Sequence, residues 1–309
     1  MDPWDIELTV LTGRTHAVSE HRALARDVER GLRRRLRRGV YVVEADLKGL
    51  APWALAVLRI RAFAATAEQQ PIFSHWSAVL LHGLPFLVRR TDVVDITDDR
   101  RTRPLEGVRL HRSPIMNGEI ERMHGLLCTT ALRTAVDIAG GAAFAEAVVV
   151  ADTALQRTGA TRSDLESAIA LAGPRRAVRK IAAVACFADG ASGSPAESLS
   201  RVTMHRLGLP APVLQHEIFD ADGFVARVDF WFPAARAVGE MDGRAKYLDP
   251  EMNSGDPARV VYEEKLREDR IRATGIRVAR WGWAEAGSTT LLGRRLAAVG
   301  VLPTRLASA

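Results

Sequence analysis

The chain of 309 residues has only two cysteines and four lysines, 6% aromatic residues, and no apolar run near the ~20 residues of a membrane-crossing helix. Cys128 and Cys186 are far apart with no paired spacing, which excludes a disulfide framework or a cysteine zinc site and leaves buried free thiols as the expectation. The opening residues, MDPWDIELTV, lack the basic-then-apolar order of a signal peptide. A cytoplasmic protein with no membrane partner is therefore expected. With 47% hydrophobic residues the chain can build real cores, and its length suits two or three domains.

Arginine fills the place that lysine leaves. The formal charge is +6, yet residues 188–309 carry 16 basic and 16 acidic side chains, so the whole excess belongs to residues 1–187. The small-residue run DGASGSP at 189–195 reads as a linker between the two parts. Such asymmetry implies different partners, or different contacts with one partner.

Within the basic part, SEHRALARDVERGLRRRLRRGVYVV (19–43) reads as a helix from Ser19 to about Leu32, running through an arginine cluster into a β-prone segment. Arg30, Arg33, Arg34, Arg35, Arg37 and Arg38 fall in nine positions. One reading is a solvated helix end whose cations suit the C-terminal dipole. The other is a surface that contacts phosphates, gaining affinity by releasing counterions from a nucleic acid. Farther on, 91–96, 107–111 and 125–129 read as short strands, while 130–157 and 161–187 read as helices. His75, His82, His111 and His124 show no ligand pair at helical spacing and read as structural or surface side chains.

The stretch just described, with SHWSAVLLHGLP (74–85) and GLLCTTALRTAVDIA (125–139), resembles the AbiEi-type antitoxin proteins of actinobacteria. That resemblance covers roughly residues 15–150. It implies a small winged helix-turn-helix before a mixed α/β region, with double-stranded DNA and a cognate toxin protein as partners. The helical segment before Gly39 is short for a full helix-turn-helix, so major-groove reading does not follow from it.

The balanced part carries the chemistry. SPAES (194–198) opens a helix that Gly208 closes, and its Ser-x-x-Glu spacing gives Glu197 a capping role. FVARVDFWFP (224–233) alternates as a strand, and AVGEMDG (237–243) reads as the next one. If the loop 233–236 closes a hairpin with Phe232 opposite Ala237, then Asp229 faces Glu240, and Asp242 emerges on the same face. Opposed like charges destabilise a sheet unless something compensates. A divalent cation would do so, since hard cations take carboxylate oxygens. The alternative is a solvated pair of acids on an edge hairpin, or another register.

With ESL (197–199), RVDFWFP (227–233), GEMDGRAKY (239–247), EKLREDRI (264–271) and GIRVARW (275–281) in this order, residues 194–290 resemble the DUF559 and very-short-patch-repair branch of the PD-(D/E)xK nuclease superfamily. The resemblance implies Asp229, Glu240 and Asp242 as ligands of Mg²⁺ or Mn²⁺, with Glu197 completing the catalytic cluster. The ion would polarise a phosphate and acidify a bound water. Lys246 or Lys265 would stabilise charge on the phosphate oxygens, although Lys265 also fits a solvated helix face. Asp242 stands where many members have lysine, so binding without turnover is the competing expectation.

The expected fold class is α+β, multidomain. It comprises a winged-helix-like basic unit at 1–48, a mixed α/β region at 49–187, and a restriction-endonuclease-like mixed sheet flanked by helices at 194–309. Two functions are carried forward: a DNA-binding protein with a metal-dependent endonuclease domain, and a non-enzymatic antitoxin or autorepressor that keeps the nuclease fold as a binding surface.

Overall fold

The computed structural model describes residues 1–11, 18–87, 92–99, 105–173, 177–242 and 257–304. It is an α+β protein of two compact units, the first comprising residues 1–154 and 161–186, the second 155–160 and 187–309. Residues 1–48 and 49–187 of the sequence reading thus fall largely together in the first unit. Among the described residues no helix is long and apolar enough to cross a membrane.

The first unit opens with β1 (Thr9–Val10), α1 (Val18–Glu29), β2 (Arg33–Arg37) and β3 (Val40–Val43). These strands form an antiparallel sheet in the order β1-β3-β2. Of the two readings of the arginine run, the helix end is corrected: α1 stops at Glu29, and Arg33–Arg37 form a strand. Gly31, at φ 69°, takes a left-handed conformation that stops the helix, and Gly39, at φ 80°, turns β2 back into β3. Val42 of this hairpin is packed with Ile6 and with Leu58 of α2 (Pro52–Thr66), so the hairpin shares a core with the helix that follows it.

A mixed five-stranded sheet follows, ordered β6-β5-β4-β8-β7. Its strands are β4 (Ile72–Phe73), β5 (Val94–Thr97), β6 (Val108–His111), β7 (Ile120–Met123) and β8 (Leu126–Thr129). Ile60 and Phe63 of α2, and Ala78 and Leu81 of α3 (His75–Leu81), pack on Phe73, Val94, Ile96 and Cys128. Burial, then Glu121, pushes the Cys128 thiol up to about 12, so it is inert, whereas Cys186 is exposed, contrary to the expectation that both are buried. The two long helices expected next are each broken. The first divides into α4 (Ala131–Gly141) and α5 (Phe144–Thr158) after the Gly140-Gly141 pair. The second divides into α6 (Arg162–Leu171) and α7 (Val178–Phe187), with Gly173 in a left-handed conformation past the end of α6.

The second unit is built on a four-stranded sheet ordered β12-β11-β10-β9. Its elements are α8 (Pro195–Arg206), β9 (Val213–Asp220), β10 (Gly223–Phe232), β11 (Ala237–Met241), α9 (Pro257–Ala273), β12 (Arg277–Trp281), α10 (Trp283–Ala286) and α11 (Thr289–Ala297). Strands β9, β10 and β11 are antiparallel, while β12 runs parallel to β11 after the α9 crossover. Phe230, Phe232, Ala237 and Trp281 form one core with Met204 of α8 and with Leu292 and Leu296 of α11. Val228 and Val238 belong to another, with Ile271 of α9. Gly239 matters because a Cβ there would collide with the Trp281 ring, whose indole N–H donates to Ser200 Oγ at 2.9 Å.

Candidate functional site

The acid centre of the second unit is set by strand register. Phe232 pairs with Ala237, Trp231 with Val238 and Phe230 with Gly239, the pairing that follows from a hairpin over residues 233–236. Arg236, at φ 43°, closes that loop in the left-handed region. Continued one step past its last pair, this register sets Asp229 against Glu240, and the Asp229 carboxylate accepts the Met241 backbone N–H at 2.7 Å.

Glu197 reaches this place from the start of α8. Ser194 caps the helix, its Oγ accepting the Glu197 N–H at 3.2 Å, and Glu197 Oε2 in turn accepts the Gly193 N–H at 2.7 Å. A second donor, Gln215 Nε2, lies 3.1 Å from the same oxygen. Gly193 is constrained by this carboxylate, since a Cβ there would meet Glu197 Oε1 at 3.1 Å. Burial, and then the charge of Asp229, raises the Glu197 pKa above the ordinary carboxylate range. The glutamate is therefore both a cap and a neighbour of Asp229.

Glu240 is also buried, with 7% of its surface exposed. Its compensation comes from guanidinium groups: Arg267 of α9 lies 3.0 Å from Oε1, and Arg280 of β12 lies 2.8 Å from Oε2. Register supplies the second contact, because Glu240 pairs directly with Arg280 on the parallel strand. The arginines extend the network to Glu264, at 2.8 Å from Arg267 and 2.5 Å from Arg280, and Arg280 lies 3.0 Å from Glu268. Burial raises the Glu240 pKa, and Arg267 and Arg280 oppose that rise. For Glu264 the balance is reversed: burial acts upward, but its hydrogen bonds and charge interactions with the two arginines hold it below the usual range.

The remaining predicted residues are less engaged. Asp242 is half exposed and 3.9 Å from Arg280. Lys265 is exposed on α9, and Lys246 lies outside the described residues. Among the described residues no group of three or more His, Cys, Asp or Glu side chains could hold a metal ion. With both Glu240 oxygens held by arginine, this arrangement does not fit the Asp229, Glu240 and Asp242 cation site that the nuclease resemblance implies. Arg267, Arg280 and Gln215 were missed in the sequence. Gln215 carries a left-handed φ of 49° inside a strand, where a non-glycine residue is strained.

These pKa shifts have a testable sign. A folded-state pKa above the unfolded value makes ionisation oppose folding, so this contribution to stability is present below the ordinary carboxylate pKa of about 4.3 and is lost as pH rises through the raised value. Glu197→Gln is therefore expected to flatten the pH dependence of second-unit melting above about pH 4.3. Calorimetry across that range checks it, and a profile parallel to wild type would contradict it.

In the first unit the six arginines have different fates. Arg34 pairs with Glu44 through both Nε and Nη2, while Arg33 donates to Thr9 Oγ1 at 2.7 Å. The Arg37 guanidinium lies 4.7 Å from the centre of the Phe63 ring, and burial, countered by Glu106, lowers its pKa. Arg30, Arg35 and Arg38 are exposed. His75 and His111 stack at 3.4 Å, and His111 Nε2 lies 2.7 Å from the buried Asp95. His82 Nε2 is 2.8 Å from the Thr129 carbonyl, and His124 stacks on Trp4.

No family model matches the chain. Two proteins of Mycobacterium tuberculosis, one from strain CDC 1551 / Oshkosh and one from strain ATCC 25618 / H37Rv, are each 32% identical to it over 167 residues. Both are named only as uncharacterized proteins. The match covers 54% of this chain and 60% of each relative's length.

Proposed function

We propose that the protein is a DNA-binding protein of the antitoxin or autorepressor kind, with a cognate toxin as protein partner. In this reading its second unit uses a nuclease-like fold without turnover. The observation that carries the DNA contact is the stretch from the end of α1 through the β2–β3 hairpin, which leaves Arg30, Arg35 and Arg38 exposed within nine residues while neighbouring arginines are tied down. Exposed guanidinium groups so placed can meet successive phosphates, which position a protein without reading sequence. The lack of turnover is argued from Glu240, whose oxygens both face arginine.

A second reading, a metal-dependent endonuclease, is favoured by the charge coupling of Glu197 with Asp229. One experiment addresses both. Fluorescence anisotropy with duplex DNA should show binding that weakens steeply between about 50 and 200 mM salt; no binding at the lower concentration overturns the proposal. Plasmid and single-stranded DNA incubated with Mg²⁺ or Mn²⁺ should stay intact with wild type, Asp229→Ala and Glu240→Ala alike. Cleavage by wild type that both variants lose would put the endonuclease reading in its place.

A further inference from the structure

The acid centre of the second unit is short of positive charge, and the side chains that supply it come from two separate elements. Arg267 projects from α9 and Arg280 from β12, and between them they contact both oxygens of Glu240. Neither arginine is held by Glu240 alone. Arg267 is bonded to Glu264 at 2.8 Å, and Arg280 reaches Glu264 and Glu268, so the pair stays in place as a braced unit. Asp229, next to Glu240 across the ladder, spends one oxygen on the Met241 N–H.

We infer that Arg267 and Arg280 act as a built-in substitute for a divalent cation, occupying the ligand oxygens of Glu240 and excluding a metal ion from the centre. Guanidinium groups satisfy a carboxylate with charge-assisted hydrogen bonds. A metal ion and these arginines need the same oxygen lone pairs, so the two are competitors and their binding is negatively linked. Weakening the arginine contacts should therefore raise cation affinity at Asp229 and Glu240 with no other change. This inference rests on the nuclease-like reading of the unit and not on DNA binding.

The test is calorimetric titration of the full chain with Mn²⁺ alone. Arg267→Gln and Arg280→Gln are each expected to bind Mn²⁺ on the order of tenfold more tightly than wild type, a coupling in the usual range between linked sites. Adding Glu240→Gln to either variant should erase the gain, which separates this centre from acids elsewhere on the surface. Arg280 has several acidic partners, so its variant is the one exposed to misfolding; Arg267→Gln leaves Arg280 in place and carries the test alone if needed. Wild type that binds as tightly as the variants, no gain in Arg267→Gln, or a gain that survives Glu240→Gln overturns the inference. No nucleic acid enters the measurement, so its failure and a failure of DNA binding are separate results.

Discussion

Arg133→Ala is expected to destabilise the first unit by about 3–5 kcal/mol, the range for removing one partner of a buried ion pair. Arg133 on α4 is 1% exposed. Its Nε donates to Asp137 Oδ1 at 3.1 Å, its Nη1 to Glu119 Oε1 at 2.6 Å and its Nη2 to Ser113 Oγ at 3.0 Å. Asp137 and Glu119 are themselves buried, so alanine would leave two carboxylates in a low-dielectric interior without the cation that neutralises them. Glu119 has a further structural duty, accepting the Met116 N–H at 2.9 Å ahead of β7. A loss of this size corresponds to a fall in melting temperature on the order of 10 °C for a unit of this length. Arg133→Lys keeps the charge but not the planar fork, so it should fall between alanine and wild type. Combining Arg133→Met with Glu119→Gln and Asp137→Asn removes all three charges and should recover part of the loss. Calorimetric melting of the three variants beside wild type checks the order, and an alanine cost below about 1 kcal/mol, typical of an exposed pair, would refute it.

How much of this was legible depended on distance along the chain. The hairpin register around Asp229 follows from alternation plus a four-residue loop, and Arg236 accepts the left-handed conformation that closes it. The α8 start follows from Ser194, Pro195 and Glu197 because caps are local devices. Arg133 and Asp137 are a readable i,i+4 pair, but Glu119, fourteen residues earlier, joins them only through tertiary packing. The same reason hides Arg267 and Arg280 from a reading centred on residues 229–242: one arrives through a helix and the other through a parallel strand. Carboxylates in sequence suggest a cation without saying which kind. Of the two readings of the arginine run, the helix end fails because Gly31 stops the helix before the run begins, and the residues after it take up strand geometry instead.

The strand placement of the run decides which arginines should matter for DNA. Phosphate neutralisation contributes about 0.9 units of log-log salt slope per contact, and only side chains free to face a duplex contribute. Arg30→Ala, Arg35→Ala and Arg38→Ala together are therefore expected to reduce the slope by about three units and to weaken binding roughly uniformly across sequences. Arg34 and Arg37 lie in the same strand but have other work, one paired with Glu44 and the other stacked over Phe63. Guanidinium stacking on an aromatic ring contributes about 0.5–2 kcal/mol depending on desolvation, so Arg37→Ala should lower first-unit stability while leaving the slope close to wild type. The two variants thus separate charge from position. If the triple variant kept the wild-type slope and Arg37→Ala flattened it, the DNA surface would be the Phe63 side of the hairpin, and the exposed arginines would be bystanders.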